Sequence, residues 1–411
     1  MRVIVTGNIG SGKSTVCRLL AAQLPGYACF NVDEAVRGLY DNPEFKAQLQ
    51  QLFGASDRKT ISDMVFTDPS RRVILENASL AFMRPLMAQA MAQPHVLVEF
   101  PLLLELPYWA HRADFVLAVG CDDAQQRARV VARDGMAVEK FERVRASQHS
   151  TELKACIADA YLDTGCALEE LPARVEAVVR QIHERELQAR CNHFFGTPAI
   201  WPLIAQAYGQ AHRAYHGLSH LQALFREFDA VQPAQPHALA IELAIWFHDF
   251  VYETSADQYG DNETASVRAL FQSLKAWAPD WLEAGRGQEV FLAGEFILAT
   301  RKHRVDAPFV RAHFERRRAA ELFLDLDLSI LSAPAPALLA YDQAIALEWG
   351  QTPGQESAAF CQGRSDALRS FLERPHLYFS PAYAARERVA RQNLNTLLAH
   401  WTARAEKQGA L

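Results

Sequence analysis

Hydrophobic and polar positions follow two different patterns along the chain. In the first part, short apolar runs rich in β-branched residues predict strands, which fall at residues 2–6, 27–32, 96–100 and 115–119. Between these runs, apolar residues recur at helical spacing, most clearly over residues 43–93. Strands that alternate with helices predict a parallel sheet with helices on both faces. The fold class predicted for this part is therefore α/β.

From Cys191 onward, strand signals nearly vanish and long amphipathic stretches dominate. We predict helices at residues 201–213, 218–228, 238–250, 264–277, 288–299, 312–324, 337–349 and 386–405. This pattern indicates an all-α domain with its own core. Residues 168–190 read as a helix without a Gly/Ser linker, so we place two domains at 1–188 and 189–411.

Composition narrows the class of protein. The chain has 411 residues, of which 50% are hydrophobic, and a net charge of −6, which does not favour a nucleic-acid partner. Its seven cysteines are scattered and show no C-x-x-C spacing, so a disulfide framework or thiolate zinc site is not expected. No signal peptide or membrane-length apolar run is recognised. We predict a cytoplasmic protein without a membrane partner, and the oligomeric state stays open.

A glycine-rich loop follows the first predicted strand. Gly7-Asn8-Ile9-Gly10-Ser11-Gly12-Lys13-Ser14 fits the pattern G-x-x-x-x-G-K-[ST] at every required position and leads into a predicted helix. Glycines allow successive backbone N–H groups to point at one anion, and the helix dipole adds positive potential. Lys13 can reach the outer phosphates, and the Ser14 hydroxyl can bind Mg²⁺. The loop therefore predicts a nucleotide-phosphate site.

Two further groups of charged residues belong to the predicted α/β part. Asp33 follows the second strand, with Arg37 four residues later, and acidic residues at this edge of a parallel sheet face the ligand crevice. Asp33 can accept a proton from a hydroxyl or hold the water shell of a metal, or it can cap a helix. Arg129 and Arg133 share one helix face, which suits either a lid over a phosphate or a solvated surface.

The order of these motifs is specific. GNIGSGKST, NVDEAVR, PLLLE, QxxRxxxRD, Ala146-Ser147-Gln148 and Ala158-Asp159 together resemble the dephospho-CoA kinases over residues 1–185. The resemblance implies a P-loop kinase with a helical lid that uses ATP and Mg²⁺ to phosphorylate the ribose 3′-hydroxyl of dephospho-CoA. It implies that Asp33 is the base, that Arg37 and Arg84 lie on the acceptor side, and that Arg129 and Arg133 belong to the lid. The residues implied to hold ATP are Gly10, Ser11, Gly12, Lys13, Ser14 and Thr15.

Three positions depart from this family's usual pattern. Asn31 stands where an Asp is usual, Arg84-Pro85 replaces a His-Pro pair, and Glu99 replaces a shorter Asp. These changes leave ATP binding intact. They keep open the alternative of a P-loop kinase for another small acceptor, such as a nucleoside.

Polar residues stand out in the predicted helical half. Tyr215-His216-Gly217-Leu218-Ser219-His220 places two histidines four residues apart, and His248-Asp249 interrupts an apolar run. His303 follows a predicted helix, and Asp325 and Asp327 lie among leucines. Carboxylates in an apolar stripe need a compensating cation or donor, and imidazole with carboxylate suits a divalent metal. A helix cap remains an alternative role for Asp325.

The set YHGLSH, WFHDFVYE, DNE, ATRKH and FLDLDL resembles a branch of the HD superfamily of metal-dependent phosphohydrolases over residues 192–405. The resemblance implies that His220, His248, Asp249 and Asp325 bind a divalent metal such as Mn²⁺, Mg²⁺ or Fe, with Asp327 a less favoured substitute for Asp325. His216 and His303 are then candidates for supporting or phosphate contacts. The predicted activity is hydrolysis of an unidentified phosphoester; the alternative is a non-catalytic, metal-bound regulatory or dimerisation module.

Overall fold

The computed structural model describes residues 1–101, 103, 107–231, 235–254, 261–283 and 285–407, without the side chains of residues 66, 67, 69 and 107. The chain divides into two compact units, Met1–Glu186 and Leu187–Leu411. Part of the PLLLE motif at residues 101–105 lies outside the described residues.

A parallel five-stranded sheet forms the centre of the first unit, in the order β2-β3-β1-β4-β5. Its strands are β1 Arg2–Gly7, β2 Ala28–Asn31, β3 Val96–Glu99, β4 Phe115–Gly120 and β5 Ala160–Asp163. The four predicted strands and the parallel sheet are confirmed. The sequence did not predict β5, because this edge strand is short and only Leu162 in it is buried.

Helices cover both faces of this sheet. Val3 and Val5 belong to one buried apolar cluster, whereas Ile4 between them belongs to another, as the alternation of strand side chains requires. The helices are α1 Lys13–Gln23, α2 Val32–Leu39, α3 Pro43–Phe53, α4 Arg58–Thr67, α5 Pro69–Met91, α6 Asp123–Asp134, α7 Val138–Ala146 and α8 Thr151–Ile157. A 3-10 turn spans Pro107–Arg112.

Helix α9, Leu171–Phe195, contains the boundary between the two units. The second unit continues with α10 Trp201–Tyr208, α11 Leu218–Val231, α12 Ala238–Phe247, α13 Asn262–Trp277, α14 Asp280–Glu283, α15 Gly287–Thr300, α16 Pro308–Arg311, α17 Phe314–Asp327, α18 Ala335–Glu348, α19 Ala358–Leu372, α20 Pro381–Ala384 and α21 Glu387–Lys407. A 3-10 turn spans Leu328–Ser332. The predicted helical character is confirmed, although α10 ends at Tyr208 and α19 was not predicted.

The core of the second unit is built around α12, whose residues from Ala240 to Phe247 are almost all fully buried. This helix packs against α11, α13, α15 and α17. Because it is apolar on every side except at Glu242, it has the sequence of a central helix. Its C-terminal end carries His248 into the interior, where that residue is 2% exposed.

None of the helices in the described ranges is by itself both long and apolar enough to cross a membrane, and one pair bent by 106°, Phe314–Ser332 with Ala335–Glu348, meets the criteria of length and composition.

Two phenylalanines on α15 provide a test of this core. Phe296 is fully buried and stacks on Phe323, whereas Phe291 on the same helix is 63% exposed. We expect Phe296→Ala to lower the free energy of unfolding by about 3–5 kcal/mol, because it leaves a cavity. The matched change Phe291→Ala should stay within about 0.5 kcal/mol. Chemical denaturation followed by circular dichroism measures both, and equal losses would contradict this packing.

Candidate functional site

The loop between β1 and α1 forms an anion cradle. Gly10 and Gly12 have φ angles of 74° and 88°, in the left-handed region that favours glycine. A Cβ atom on Gly10 would lie 2.5 Å from the carbonyl oxygen of Gln126, so a side chain does not fit there. Gly12 is the N-cap of α1 and provides no capping side chain. The first N–H groups of this helix are therefore available to a phosphate.

Lys13 is the cation of this cradle. It is only 9% exposed, and its Nζ donates to the carbonyl oxygen of Asn8 at 2.9 Å. Burial lowers the pKa of Lys13, while the carboxylates of Glu99 and Asp33 raise it and the Arg133 guanidinium lowers it. Charged groups from three different elements thus act on one ammonium.

Glu99 connects the phosphate loop with the neighbouring strand. Its Oε1 accepts from Ser14 Oγ at 2.7 Å, and its Oε2 accepts from Asn31 Nδ2 at 2.9 Å. Asn31 and Glu99 are register partners at the carboxyl ends of β2 and β3. Two of the three departures from the family pattern therefore contact each other.

The residues predicted to act on the acceptor lie on α2 and α5. Asp33 is exposed in the first turn of α2, and Arg37 is exposed in its last turn. The helix-cap reading of Asp33 was wrong, because Asn31 Oδ1 accepts from Glu34 N at 3.0 Å and is the cap. Arg84 is exposed on α5. The charge of Asp33 acts on Lys13, as described above, whereas no contact places Arg37 or Arg84 at the loop among the described residues.

Both predicted lid arginines lie on α6. Arg129 donates to Thr164 O at 2.7 Å and to Thr164 Oγ1 at 2.9 Å, and that hydroxyl donates to Ser11 O at 2.8 Å. Arg129 is thus linked to the phosphate loop through Thr164. Arg133 forms two hydrogen bonds to Asp134, at 2.7 and 2.6 Å, and the charge of Glu99 contributes to raising its pKa.

Sequence reasoning missed Lys154 on α8. This lysine is 1% exposed, and its Nζ donates to Asn8 Oδ1 at 2.8 Å and to Pro101 O at 3.0 Å. Gln148, the last residue of the Ala146-Ser147-Gln148 motif, accepts a hydrogen bond from Ile9 N at 3.0 Å. A single lysine outside the recognised motifs gives no sequence signal, so only the fold brings Lys154 to the loop.

A parallel sheet, a glycine cradle with a buried lysine, and charged groups converging on it define a P-loop phosphotransferase. The model of the dephospho-CoA kinase family matches residues 1–170. The chain is 31% identical to a dephospho-CoA kinase of Dechloromonas aromatica over 202 residues, which cover 46% of this chain and 97% of the relative. It is 34% identical to a dephospho-CoA kinase of Burkholderia thailandensis over 196 residues, with coverages of 44% and 94%.

A crystal structure of a protein from Thermus thermophilus is 32% identical, with a TM-score of 0.38, and the alignment covers 44% of this chain and 96% of that one. The identities and coverages of the two kinases establish the relationship. The chain belongs to the dephospho-CoA kinase family, and its first 170 residues or so form the kinase domain.

A second cluster of polar side chains lies inside the helical unit. α11 carries His220, the end of α12 carries His248 and Asp249, and the last turn of α17 carries Asp327. His220, His248 and Asp327 offer ligand atoms that all lie within 4.8 Å of one another. The residues are far apart in sequence, so helix packing alone assembles them.

The distances suit a shared cation. The Nε2 atoms of His220 and His248 are 3.1 Å apart. Asp327 Oδ1 lies 3.5 and 3.7 Å from these two nitrogens, and Asp249 Oδ2 lies 3.8 and 3.0 Å from them. Ligands bound at about 2.1 Å with angles of 90–110° are about 3.0–3.5 Å apart. Two imidazoles and two carboxylates are also a donor set for a divalent metal. These residues therefore fit a metal.

The electrostatics of the cluster are strongly perturbed. Burial lowers the pKa of His220. Burial also acts to lower the pKa of His248, but the carboxylates of Asp249 and Asp327 raise it to about 9. Burial opposes ionisation of Asp327, yet hydrogen bonds from His220 and His303 hold its pKa well below the usual value. The carboxylates therefore face a protonated His248, whose proton a bound metal would displace.

The histidines at the cluster differ in the hydrogen-bonding contacts of their ring nitrogens. His248 Nδ1 faces the carbonyl oxygen of Ile245 at 3.1 Å, which leaves Nε2 directed inward. His303 Nε2 contacts Asp327 Oδ2 at 3.1 Å, although His303 itself is in the left-handed region at φ 45°. Such a conformation is costly for a non-glycine residue, which is consistent with a constrained role. Within the described residues, His220 Nδ1 is buried without a hydrogen bond.

Glu348, which the sequence did not single out, holds His216. Its Oε2 lies 2.7 Å from His216 Nδ1, and its Oε1 accepts from the backbone N–H groups of His216 and Tyr215. The Tyr252 hydroxyl also donates to Oε2, at 3.1 Å. As a result, His216 presents Nε2 toward Asp249 Oδ2 at 4.0 Å. His216 precedes α11, so the two histidines of YHGLSH are not on one continuous helix.

The assignment of Asp325 as a metal ligand is corrected by the structure. Its Oδ1 accepts from Phe379 N at 2.9 Å, and its Oδ2 accepts from Ser380 N at 2.7 Å. Asp325 and Asp327 are two residues apart, about 200° around a helix, so only one of them can face the histidines. That residue is Asp327. Asp325 instead fixes the segment before α20, close to the capping role kept open as an alternative.

Lys302 and Arg304 flank His303 but line a separate cleft of about 370 Å³, together with Leu298, Val310 and Ala320. Among the described residues, the lining of this cleft includes none of the four side chains of the metal cluster.

The two aspartates of α17 give a matched test of the cluster. Asp327→Asn should remove most of the bound divalent metal, because it removes a charged ligand. Asp325→Asn should keep the metal and lower the free energy of unfolding by about 1–3 kcal/mol, because a buried N–H group loses its acceptor. Metal content by mass spectrometry and calorimetric titration with Mn²⁺ measure the first effect. Loss of metal from the Asp325 variant alone would reverse the correction.

Proposed function

We propose that the chain is bifunctional. The first unit transfers the γ-phosphoryl group of ATP to the ribose 3′-hydroxyl of dephospho-CoA, and the helical unit is an HD-type, metal-dependent phosphohydrolase. The phosphate cradle around Lys13 carries the first proposal, and the convergence of His220, His248, Asp249 and Asp327 carries the second. We place the domains at 1–188 and 189–411, close to the division between the compact units.

In the kinase unit, the residues Gly10 to Thr15 bind the phosphates of ATP, and Lys13 offsets the charge of the transferring group. Asp33 takes the proton of the acceptor hydroxyl as a bond forms between the 3′-oxygen and the γ-phosphorus. The bond from this phosphorus to the bridging oxygen of ADP breaks. Arg129 and Arg133 close on the phosphates from α6, while Arg37 and Arg84 contact the acceptor.

Mg²⁺ fits this unit, because a hydroxyl and a carboxylate, Ser14 and Glu99, stand together beside the cradle. When bound, Mg²⁺ neutralises charge on the phosphate oxygens. Ser14 is the residue that would hold it.

In the helical unit, His220, His248, Asp249 and Asp327 would hold a divalent cation such as Mn²⁺, Mg²⁺ or Fe. When bound, this cation supplies Lewis-acid polarisation of a phosphoester and a more acidic water. His303 orients Asp327, and His216, fixed by Glu348, is placed to contact a phosphate oxygen. The substrate is a small phosphoester.

Lys13→Ala tests whether the two sites are separate. We expect about a hundredfold to a thousandfold loss of ADP formation with dephospho-CoA, about what removal of one transition-state-stabilising donor costs. Metal content and any phosphoesterase activity of the same preparation should stay near those of the wild-type chain. Loss of both activities in a folded variant would contradict separate sites.

A panel of acceptors tests the kinase substrate. With ATP and Mg²⁺, we expect a higher kcat/KM for dephospho-CoA than for nucleosides, and phosphorus NMR should locate the new ester at the ribose 3′ position. Preference for a nucleoside would support the alternative acceptor.

The hydrolase is tested with a library of phosphoesters and nucleotides on the full chain loaded with Mn²⁺, Mg²⁺ or Fe²⁺. His248→Ala combined with Asp249→Ala should lose both the metal and the turnover, because half of the donor set is removed. Retained metal with no turnover of any library compound in the wild-type chain would favour the non-catalytic module.

A further inference from the structure

The side-chain amide of Asn31 accepts one hydrogen bond and donates another. Its Oδ1 accepts from Glu34 N at 3.0 Å and so caps α2, the helix that carries Asp33. Its Nδ2 donates to Glu99 Oε2 at 2.9 Å, while Glu99 Oε1 accepts from Ser14 Oγ at 2.7 Å. One amide therefore joins the start of α2 to the carboxylate that holds the hydroxyl of the phosphate loop.

We propose that Asn31 is a positioning residue for phosphoryl transfer: it fixes the Glu99 carboxylate on Ser14 and, through the helix cap, fixes α2 and Asp33 beside the same loop. This proposal rests on the kinase activity proposed above. We call Asn31, Glu99 and Ser14 the amide clamp.

The chemistry of the clamp requires an amide at this position. The backbone N–H of Glu34 is a donor, so the atom that faces it must be an oxygen, and the orientation of the Asn31 amide is fixed. The other end faces Glu99, which is 8% exposed and whose carboxylate therefore needs a donor. Aspartate could cap the helix but could not donate to Glu99, and it would place two carboxylates in contact. Asn31 and Glu99 thus form a matched pair, and the sheet register places them side by side.

Asn42 offers a matched control. It caps α3 in the same unit, where its Oδ1 accepts from Glu44 N at 2.9 Å and Phe45 N at 3.1 Å. Asn42→Asp therefore changes a capping asparagine to aspartate without facing Glu99. It should keep the wild-type kcat and stability, since both residues are good N-caps.

The test is a cycle of four full-length proteins: wild type, Asn31→Asp, Glu99→Gln, and the double variant. We expect each single change to lower kcat about tenfold to a hundredfold and to weaken binding of Mg·ATP, because a hydrogen bond to a buried charge is lost. In the double variant, the new glutamine amide can accept from Ser14 and donate to the new aspartate carboxylate. It should recover kcat to within about threefold of wild type, a coupling expected only for contacting residues.

Recovery of kcat in the double variant is a result that a purely structural role of either residue would not produce. Losses that add in the double variant, or an Asn31→Asp protein that behaves like Asn42→Asp, would overturn the clamp. Mg·ATP affinity by calorimetry separates this result from the kinase proposal. If the wild type fails to phosphorylate dephospho-CoA, the kinase proposal fails, while the four affinities still decide the clamp.

Discussion

The cost of burying a carboxylate governs both sites of this protein. Glu99 in the kinase unit is 8% exposed, and the side chain of Asp327 in the helical unit is 13% exposed. Burying such a group is costly unless donors or cations surround it. Around Glu99 these are a hydroxyl, an amide and the charge of Lys13; around Asp327 they are three imidazoles. In each unit the chain has gathered the compensating groups from separate elements, and the candidate chemistry lies where they meet.

The two sites are built on different supports. In the α/β unit, the carboxyl ends of β1, β2 and β3 bring the loop, Asn31 and Glu99 to one edge, so the sheet register sets the distances. In the helical unit, α12 and two helices packed against it, α11 and α17, deliver the histidines and aspartates at their ends or first turns. Partners behind them, Glu348 for His216 and His303 for Asp327, restrict their orientation.

Departures from a family pattern gained a physical meaning only in the structure. Asn31 and Glu99 look like two separate losses of an aspartate in the sequence, and they raise the question of another acceptor. In the fold they are one hydrogen-bonded pair. A neutral amide and a longer carboxylate leave one negative charge, that of Glu99, beside Ser14. Because the amide donates to that carboxylate, the two changes are parts of one contact.

The sequence by itself determined the features that depend on local spacing. These are the strand and helix that flank the loop of Gly7 to Lys13, the period of the helices, and His248-Asp249 inside an apolar run. It determined neither the short edge strand β5 nor the choice between Asp325 and Asp327, because two aspartates among leucines look alike until the rotation of α17 is known. The roles of Glu348 and Lys154 were also decided by tertiary structure alone. Each makes a contact with a residue more than a hundred positions away in the chain, at sequence separations of 132 and 146, and no local pattern encodes a contact of that kind.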